Sequence, residues 1–211
     1  MSSSTQSSAM SAASSGESPA PAAEPVPDLT TARLILRSWT AAEVEAVLRG
    51  ERLAHWAADF PAEGDHVIAG LFAGHPAWLG PYGHRQVVER DGGLVVGSIG
   101  LFWPPSDGAL ELGYGIVESR RGRGYATEAV EALTAFAYAA PGVRSVHATV
   151  EPSNPPSIRV LEKAGFQLCD DGPSQQDEDT SPADEDASRA DENGEGGVVV
   201  LRYQAPPPAG R

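Results

Sequence analysis

Between residues 111 and 139 the hydrophobic pattern changes from strict alternation to a helical repeat. Three large side chains alternate with glycines over residues 111–117, which predicts a short strand: Leu112, Tyr114 and Ile116. From Ala126 to residue 139 the apolar positions recur every three or four residues, which predicts an amphipathic helix with one apolar stripe: Ala126, Val130, Leu133 and Ala137. A glycine-rich basic turn over residues 120–126 joins the strand to the helix.

The segments before this centre predict a helix and three more strands. Residues 33–37 form a short apolar run that is typical of a first strand. Thr40 and Glu43 have the spacing of a capping box, and apolar residues at helical spacing follow them, so a helix is expected there. Residues 86–102 hold two β-branched runs around Asp91-Gly92, which predicts a hairpin.

The segments after the centre predict two strands and a helix. Residues 145–150 alternate like a strand, and because a helix connects them to strand 111–117, the two strands should run parallel. Asn154 and Pro155 are typical first residues of a helix, which Gly165 should end. Residues 198–204 predict a final strand. The fold class expected is α/β (α+β), with a mixed central sheet that contains an antiparallel meander and is flanked by helices.

Composition divides the chain into a core-forming domain and polar segments. Residues 1–27 are mainly Ser, Ala and Pro, which predicts a disordered leader. A single domain should span residues 28–205, interrupted at about residues 170–197 by an acidic disordered insert, and residues 206–211 should form a tail. The insert holds eleven acidic residues and one arginine, and therefore most of the formal net charge of −14.

The charge and the cysteine count exclude several classes of protein. The acidic balance argues against nonspecific nucleic-acid binding. A single cysteine, Cys169, allows no intramolecular disulfide. The sequence has neither a signal-peptide pattern nor an apolar run long enough to span a membrane. We therefore expect a cytoplasmic protein that works without a membrane.

The glycine-rich turn has the features of an anion site. The N terminus of the following helix offers unpaired N–H groups, and Arg120, Arg121 and Arg123 add positive charge. A tight turn with solvated arginines would have the same sequence. A dinucleotide fingerprint fits poorly, because Thr127 stands where a third glycine or alanine is needed, and the Gly-Lys-Ser/Thr of a P-loop is absent.

Two motifs resemble the signatures of the GNAT N-acetyltransferase superfamily. Arg121-x-x-Gly124-x-Ala126 is similar to the first signature, and Asn154-x-x-Ser157-x-x-x-Leu161-Glu-Lys-x-Gly-Phe is similar to the second. The opening Thr31-x-Arg33-Leu-x-Leu-Arg37 also resembles the branch of ribosomal-protein-alanine N-acetyltransferases (RimJ/RimL-like). The resemblance implies the GNAT acyl-CoA N-acyltransferase fold, in which the parallel strand pair is splayed.

The resemblance further implies acetyl-CoA as co-substrate. Its pyrophosphate would lie on the loop that begins at Arg121, whose cofactor-binding residues would be Arg121, Gly122, Arg123, Gly124, Tyr125 and Ala126. Its pantetheine arm would pair with backbone at Ile116 and Val117. Asn154 and Ser157 would line the cofactor side of the last helix.

The resemblance also suggests catalytic groups. Glu111 is the candidate general base, because several GNAT enzymes use a carboxylate on this strand; His84 and His147 are weaker candidates. Leu161 occupies the position where many GNAT proteins have a tyrosine that protonates the leaving thiolate. Either the thiolate leaves unaided, or Tyr114 or Ser157 serves as the acid.

The resemblance implies that residues 52–86, between the first and second predicted strands, cover the acceptor. Their four histidines lack the spacing of a metal site. The sequence thus predicts an N-acetyltransferase that moves acetyl directly to a primary amine of a small molecule or a protein N-terminus. A homodimer is the oligomeric state that the resemblance suggests. The alternatives are a noncatalytic acyl-CoA-binding module and an interaction protein that acts through its acidic insert.

Overall fold

The computed structural model describes residues 27–169 and 198–203. These residues form one eight-stranded sheet with four α-helices. Residues 1–26 of the predicted leader over 1–27, the acidic insert over 170–197 and the tail lie outside the described residues, so their disorder and the domain limits stay predictions. None of the described helices is both long and apolar enough to cross a membrane.

The sheet has the mixed topology that the sequence predicts. Its strands are β1 (Leu29–Thr30), β2 (Leu34–Ser38), β3 (Arg85–Glu89), β4 (Val95–Leu101), β5 (Ala109–Ile116), β6 (Ser145–Val150), β7 (Gln167–Leu168) and β8 (Val199–Tyr203). They are ordered β1-β2-β3-β4-β5-β6-β8-β7. Strands β3, β4 and β5 form the antiparallel meander, and β5 and β6 form the parallel pair, so both predictions are confirmed.

The predicted helices are present with the caps that the sequence indicates. The four helices are α1 (Ala41–Leu48), α2 (Glu63–Leu71), α3 (Tyr125–Tyr138) and α4 (Pro155–Lys163). Thr40 and Glu43 form the expected capping box at α1. The Asn154 side chain accepts from Ser157 N–H at 3.2 Å and so caps α4.

Helix α2 and the short strands β1 and β7 are absent from the sequence-based prediction. Helix α2 carries two glycines and is preceded by Ala62, which offers no capping side chain, so the usual start signals are missing. Its first turn is stabilised instead from inside the helix, because the Asp65 carboxylate accepts from Ala62 N–H at 2.8 Å. Strands β1 and β7 have two residues each, too few for a periodic pattern.

Helices α2 and α3 lie on opposite faces of the sheet. On β3 the Arg85 guanidinium lies 5.1 Å from the ring of Phe136 in α3, so this face of the sheet is covered by α3. Arg85 is paired with Ile99 of β4, and the neighbour of Ile99 along that strand is Ser98. Ser98 donates a hydrogen bond to Asp65 of α2. Because neighbouring side chains on a strand alternate between faces, α2 covers the other side.

The parallel pair separates partway along its length. Strand β5 pairs with β6 only from Ala109 to Glu111, whereas it pairs with β4 as far as Ile116. Beyond Glu111 the edge of β5 therefore has no strand partner on its β6 side among the described residues. The splayed pair that the resemblance implies is thus present.

Candidate functional site

A cleft of about 910 Å³ lies beside residues 113–116 of β5, beyond the point where β5 stops pairing with β6. Its walls come from both faces of the sheet. On the α2 face the lining residues are Ala62, Glu63, Gly64, Asp65, Val67, Ile68, His84, Ser98, Phe102, Gly113 and Gly115. The opposite wall consists of Tyr114, Ile116, Arg120, Arg121, Gly122, Gly124, Tyr125, Ala126, Thr127, Asn154, Pro156, Ser157, Arg159, Val160 and Lys163. The cleft therefore connects the two faces through the sheet.

Backbone groups of β5 line the opening. The Val117 N–H donates to the C=O of Val96 in β4. Successive residues of a strand turn their N–H and C=O groups to opposite sides. The backbone groups of Ile116 and Tyr114 therefore face away from β4 and toward the opening. The Ile116 C=O accepts from Arg121 Nε at 3.1 Å. Both backbone groups of Val117 are already used, since its C=O accepts from Arg120 N–H, and its side chain is buried.

The glycine-rich turn brings the N terminus of α3 to the cleft. Gly122 and Gly124 have φ angles of 74° and 79°, a left-handed conformation that favours glycine. Gly124 is the residue before the first turn of α3, and no side chain caps that turn within the described structure. The N–H groups of this first turn therefore lack helical acceptors, and the residues that carry them line the cleft at the positive end of the helix dipole.

The three arginines of the turn have different surroundings. Arg120 Nε lies 3.0 Å from the Glu89 carboxylate, and Arg123 Nη1 lies 3.8 Å from it. Arg121 lines the cleft and has no carboxylate partner among the described residues. Arg121 is therefore the arginine whose charge is most available to an anion, while Arg123 is absent from the cleft lining.

A clasp of Thr31, Arg33 and Glu128 holds the turn in place. The Glu128 carboxylate accepts from Thr31 Oγ1 at 2.6 Å, from Arg33 N–H at 2.8 Å and from Arg33 Nε at 2.7 Å. Arg33 Nη1 also donates to the C=O of Arg123 at 2.8 Å. Burial raises the pKa of Glu128, but these hydrogen bonds and the Arg33 charge outweigh it and hold the pKa below its ordinary value.

Helix α4 forms the second wall of the basic half of the cleft. The Tyr114 hydroxyl donates to the C=O of Ser157 at 3.1 Å, and burial raises its pKa, so the hydroxyl stays protonated at neutral pH. Arg159 and Lys163 are exposed and line the cleft one helical turn apart. Sequence reasoning missed these two cations, although their i, i+4 spacing on the predicted helix was a usable signal.

The α2 face contributes two buried polar groups that sequence reasoning missed or ranked low. Asp65 is 5% exposed, and its carboxylate accepts from the Ser98 hydroxyl. Burial raises the pKa of Asp65, an effect that the Ser98 and Ala62 hydrogen bonds only partly oppose. His84 is 3% exposed, and desolvation lowers its pKa to about 4. Asp65 was missed because helix α2 itself gave no clear sequence pattern.

The candidate bases lie in different places. Glu111 is half-buried beside His147, its register partner on β6, and neither residue lines the cleft. Desolvation lowers the pKa of His147, and the Glu111 charge partly counteracts this. Of the three candidate bases only His84 lines the cleft. Leu161 is fully buried in the core and does not line it.

The four histidines of residues 52–86 are separated in the structure. His55 Nε2 lies 3.0 Å from the Glu43 carboxylate. His75 stacks on Trp78 with a centroid distance of 4.1 Å, whereas His84 is enclosed by aromatic rings. Within the described residues no three His, Cys, Asp or Glu side chains are placed to hold a metal ion.

Comparisons with known proteins identify the family. The model of the acetyltransferase (GNAT) domain matches residues 33–167. The chain is 30% identical over 83 residues to the uncharacterized N-acetyltransferase p20 of Bacillus licheniformis, which covers 39% of this chain and 47% of that protein. The chain thus spans about half the length of the curated relatives it matches.

Solved structures share the fold. An acetyltransferase from Agrobacterium tumefaciens is 23% identical, with a TM-score of 0.53 over 85% of this chain and 95% of that one. A structure of RimL, a ribosomal L7/L12 alpha-N-protein acetyltransferase in complex with coenzyme A, is 17% identical, with a TM-score of 0.54 over 84% and 98%.

The splayed parallel pair, the basic turn and the helix that begins in it together form the fold that the matched acetyltransferase structures share. With the family match over more than half of its length, the chain belongs to the GNAT acetyltransferase family.

Proposed function

We propose that this protein is an acetyl-CoA-dependent N-acetyltransferase that transfers acetyl directly to a primary amine. The observation that carries the proposal is the opening between β5 and β6, because it places strand backbone groups beside a basic helix N terminus in one cleft. This arrangement suits a long ligand that is anionic at one end and amide-bearing along its arm, as acetyl-CoA is.

The basic half of the cleft would hold the cofactor. N–H groups from Gly122 to Ala126 and the Arg121 guanidinium would bind the pyrophosphate. Tyr114 and Ile116 would pair with the amide groups of the pantetheine arm, and Asn154 and Ser157 would line its other side. Arg159 and Lys163 add positive charge to the same half of the cleft. Neither Arg123 nor Val117 lines the cleft. Arg123 would contribute as part of the loop, and the buried Val117 would contribute by packing in the core.

Acetyl-CoA, when bound, supplies the thioester whose carbonyl carbon forms the new bond to nitrogen as the bond to sulfur breaks. The chain must align the two substrates, which can contribute about 7–11 kcal/mol. It must also remove one proton from the ammonium form before attack and a second as the amide forms, while the departing thiolate takes up one proton. Glu111 remains a candidate base and would have to act through water, because it does not line the cleft. Tyr114 is the candidate acid for the thiolate, since its protonated hydroxyl does line the cleft.

Calorimetric titration with acetyl-CoA tests the proposal, with NAD and ATP as controls. We expect one-to-one binding of acetyl-CoA alone, and at least tenfold weaker binding by Arg121→Ala. Arg49→Ala is the matched control, because Arg49 lies outside the cleft and pairs with Glu45 and Glu51. No binding of acetyl-CoA by the folded protein would overturn the proposal.

Initial-rate kinetics then test direct transfer. Because the two halves of the cleft meet at one opening, both substrates should be bound together, and double-reciprocal plots at several acceptor concentrations should intersect. Parallel lines would indicate an acetylated enzyme and contradict direct attack. Acetyl-CoA binding without release of free thiol toward any amine would support the noncatalytic binding module instead.

A further inference from the structure

We propose that Asp65 and His84 bind the amine of the acceptor, and that the acceptor is a cationic primary amine with no carboxylate beside its nitrogen. This inference rests on the proposed function and names the substrate class for the half of the cleft that faces α2.

The two side chains converge on one bare patch of the sheet. Asp65 is bonded to Ser98, and the ring of His84 lies so close over Gly100 that a Cβ there would collide with it. Ser98 and Gly100 are successive positions on the same face of β4, about 6.6 Å apart. The two polar groups are therefore neighbours above the strand.

The floor beside them has no side chains. Gly115 and Gly113 are the register partners of Ser98 and Gly100 on β5, and both line the cleft. A Cβ at Gly113 would meet the ring of Phe102 at 3.1 Å, whereas a Cβ at Gly115 would meet nothing within 4 Å, so the open space lies above Gly115. A small amine can therefore reach the β5 edge, where the thioester would lie, between Asp65 and His84.

His84 has an unused hydrogen-bonding group. Its Nε2 is buried and has no hydrogen-bond partner among the described residues, although a buried polar atom without a partner is costly. Because burial keeps its pKa at about 4, the imidazole is uncharged at neutral pH and can accept a hydrogen bond from an N–H donor. An amine in the cleft would provide that donor.

The surroundings favour a cation over an anion. The acidic lining residues of the cleft, Glu63 and Asp65, both belong to α2. The basic lining residues all come from the turn after β5 or from α4, so this half has no cation for an acceptor carboxylate within the described structure. Phe102 lines the cleft beside His84, with 5.1 Å between the ring centroids, and aromatic faces attract ammonium groups.

A pair of probes that differ by one carboxylate tests the substrate class. With the full chain and saturating acetyl-CoA, release of CoA thiol is measured for phenethylamine and for phenylalanine. We expect kcat/KM to be at least tenfold higher for phenethylamine. Equal or better use of phenylalanine would overturn the inference while leaving the proposed function intact. Failure of acetyl-CoA to bind at all would instead overturn the proposed function.

Two variants test the residues. Asp65→Asn and His84→Phe should each raise KM for phenethylamine at least fivefold and leave the dissociation constant of acetyl-CoA within twofold. Asp91→Asn and His75→Phe are the matched controls, since neither residue lines the cleft, and both should behave as the wild type. If Asp65 only caps α2, its variant will lower stability with KM unchanged, which contradicts the assignment.

Where thiol release is too slow to measure, calorimetry replaces it. Phenethylamine is titrated into the chain saturated with acetyl-CoA, and the same fivefold loss of affinity is expected for both variants. No binding of phenethylamine to that complex would overturn the inference.

Discussion

At the scale of single residues, Gly97 on β4 and Gly115 on β5 are glycines for different structural reasons. A Cβ at Gly97 would collide with the backbone oxygen of Gly115, whereas a Cβ at Gly115 would enter open space in the cleft. Gly97 therefore permits β4 and β5 to pack, and Gly115 leaves room for a ligand.

The Gly97→Ala and Gly115→Ala variants should separate these roles. We expect Gly97→Ala to lower the free energy of unfolding by about 1–3 kcal/mol, because backbone must shift to admit the methyl group. Gly115→Ala should change it by less than about 1 kcal/mol, since nothing collides and the unfolded chain loses freedom. Urea unfolding of both proteins measures the difference, and equal losses would contradict the assigned roles.

His84 should make stability depend on pH. Its pKa is about 4 in the folded protein and 6.5 ordinarily, so its contribution is fully present above pH 6.5 and is lost as the pH falls toward 4. Between pH 7 and 5 the loss should be about 2 kcal/mol. His147, whose pKa is also lowered, acts in the same direction.

The His84→Phe variant should lose this part of the pH dependence. Unfolding free energies at pH 7 and 5 are compared within each protein, so a general loss of stability does not affect the result. His75→Phe, which changes an exposed histidine, should keep the wild-type slope. An unchanged slope in His84→Phe would show that the unfolded and folded pKa values of His84 are alike.

At the scale of elements, the β1–β2 turn and α3 are joined by the clasp of Thr31, Arg33 and Glu128. The clasp also reaches the glycine-rich turn, because Arg33 donates to the C=O of Arg123 and lies 5.1 Å over the ring of Tyr125. Arg33 is therefore a positioning residue for the loop that would hold the pyrophosphate, without lining the cleft itself.

Arg33→Ala should weaken the binding of acetyl-CoA more than it lowers the turnover rate. We expect KM for acetyl-CoA to rise roughly threefold to tenfold, which corresponds to about 0.6–1.4 kcal/mol, with kcat within about twofold. Arg49→Ala, which removes an exposed arginine paired with Glu45 and Glu51, is the control and should change neither constant. An equal drop in kcat would mean that Arg33 acts on the reaction step rather than on the loop.

At the scale of the whole molecule, the sheet opens where its parallel pair separates. Hydrogen exchange reports on this opening, because amides without a strand partner exchange fast until a ligand bonds them. We expect acetyl-CoA to slow exchange at Tyr114, Ile116 and the first turn of α3 at least tenfold. Amides of β3, which is paired on both sides, should change little. Uniform slowing over the sheet would indicate general stabilisation rather than binding at the opening.

The elements that the sequence predicted are those whose signals are local. The capping box of Thr40 and Glu43, the Asp91-Gly92 turn and the Asn154 cap each depend on residues within a few positions of one another. The glycine-rich turn was visible for the same reason. Helix α2 was not, because its first turn is stabilised by Asp65 from within the helix and its attachment to the sheet is a hydrogen bond to Ser98, 33 positions away.

The sequence by itself determined the order of the longer strands and of helices α1, α3 and α4, the parallel direction of β5 and β6, and the motifs of the GNAT family, since periodicity and capping act over short distances. Only the tertiary structure decided which polar groups share the cleft. Glu111 lies on the predicted strand yet outside the cleft, whereas Asp65 and His84 reach it from segments that showed no pattern. The physical reason is that the burial of a side chain, and its distance from side chains of other segments, depend on the register of the strands and on the point where β5 separates from β6. Both are set by contacts between residues that are far apart in the sequence.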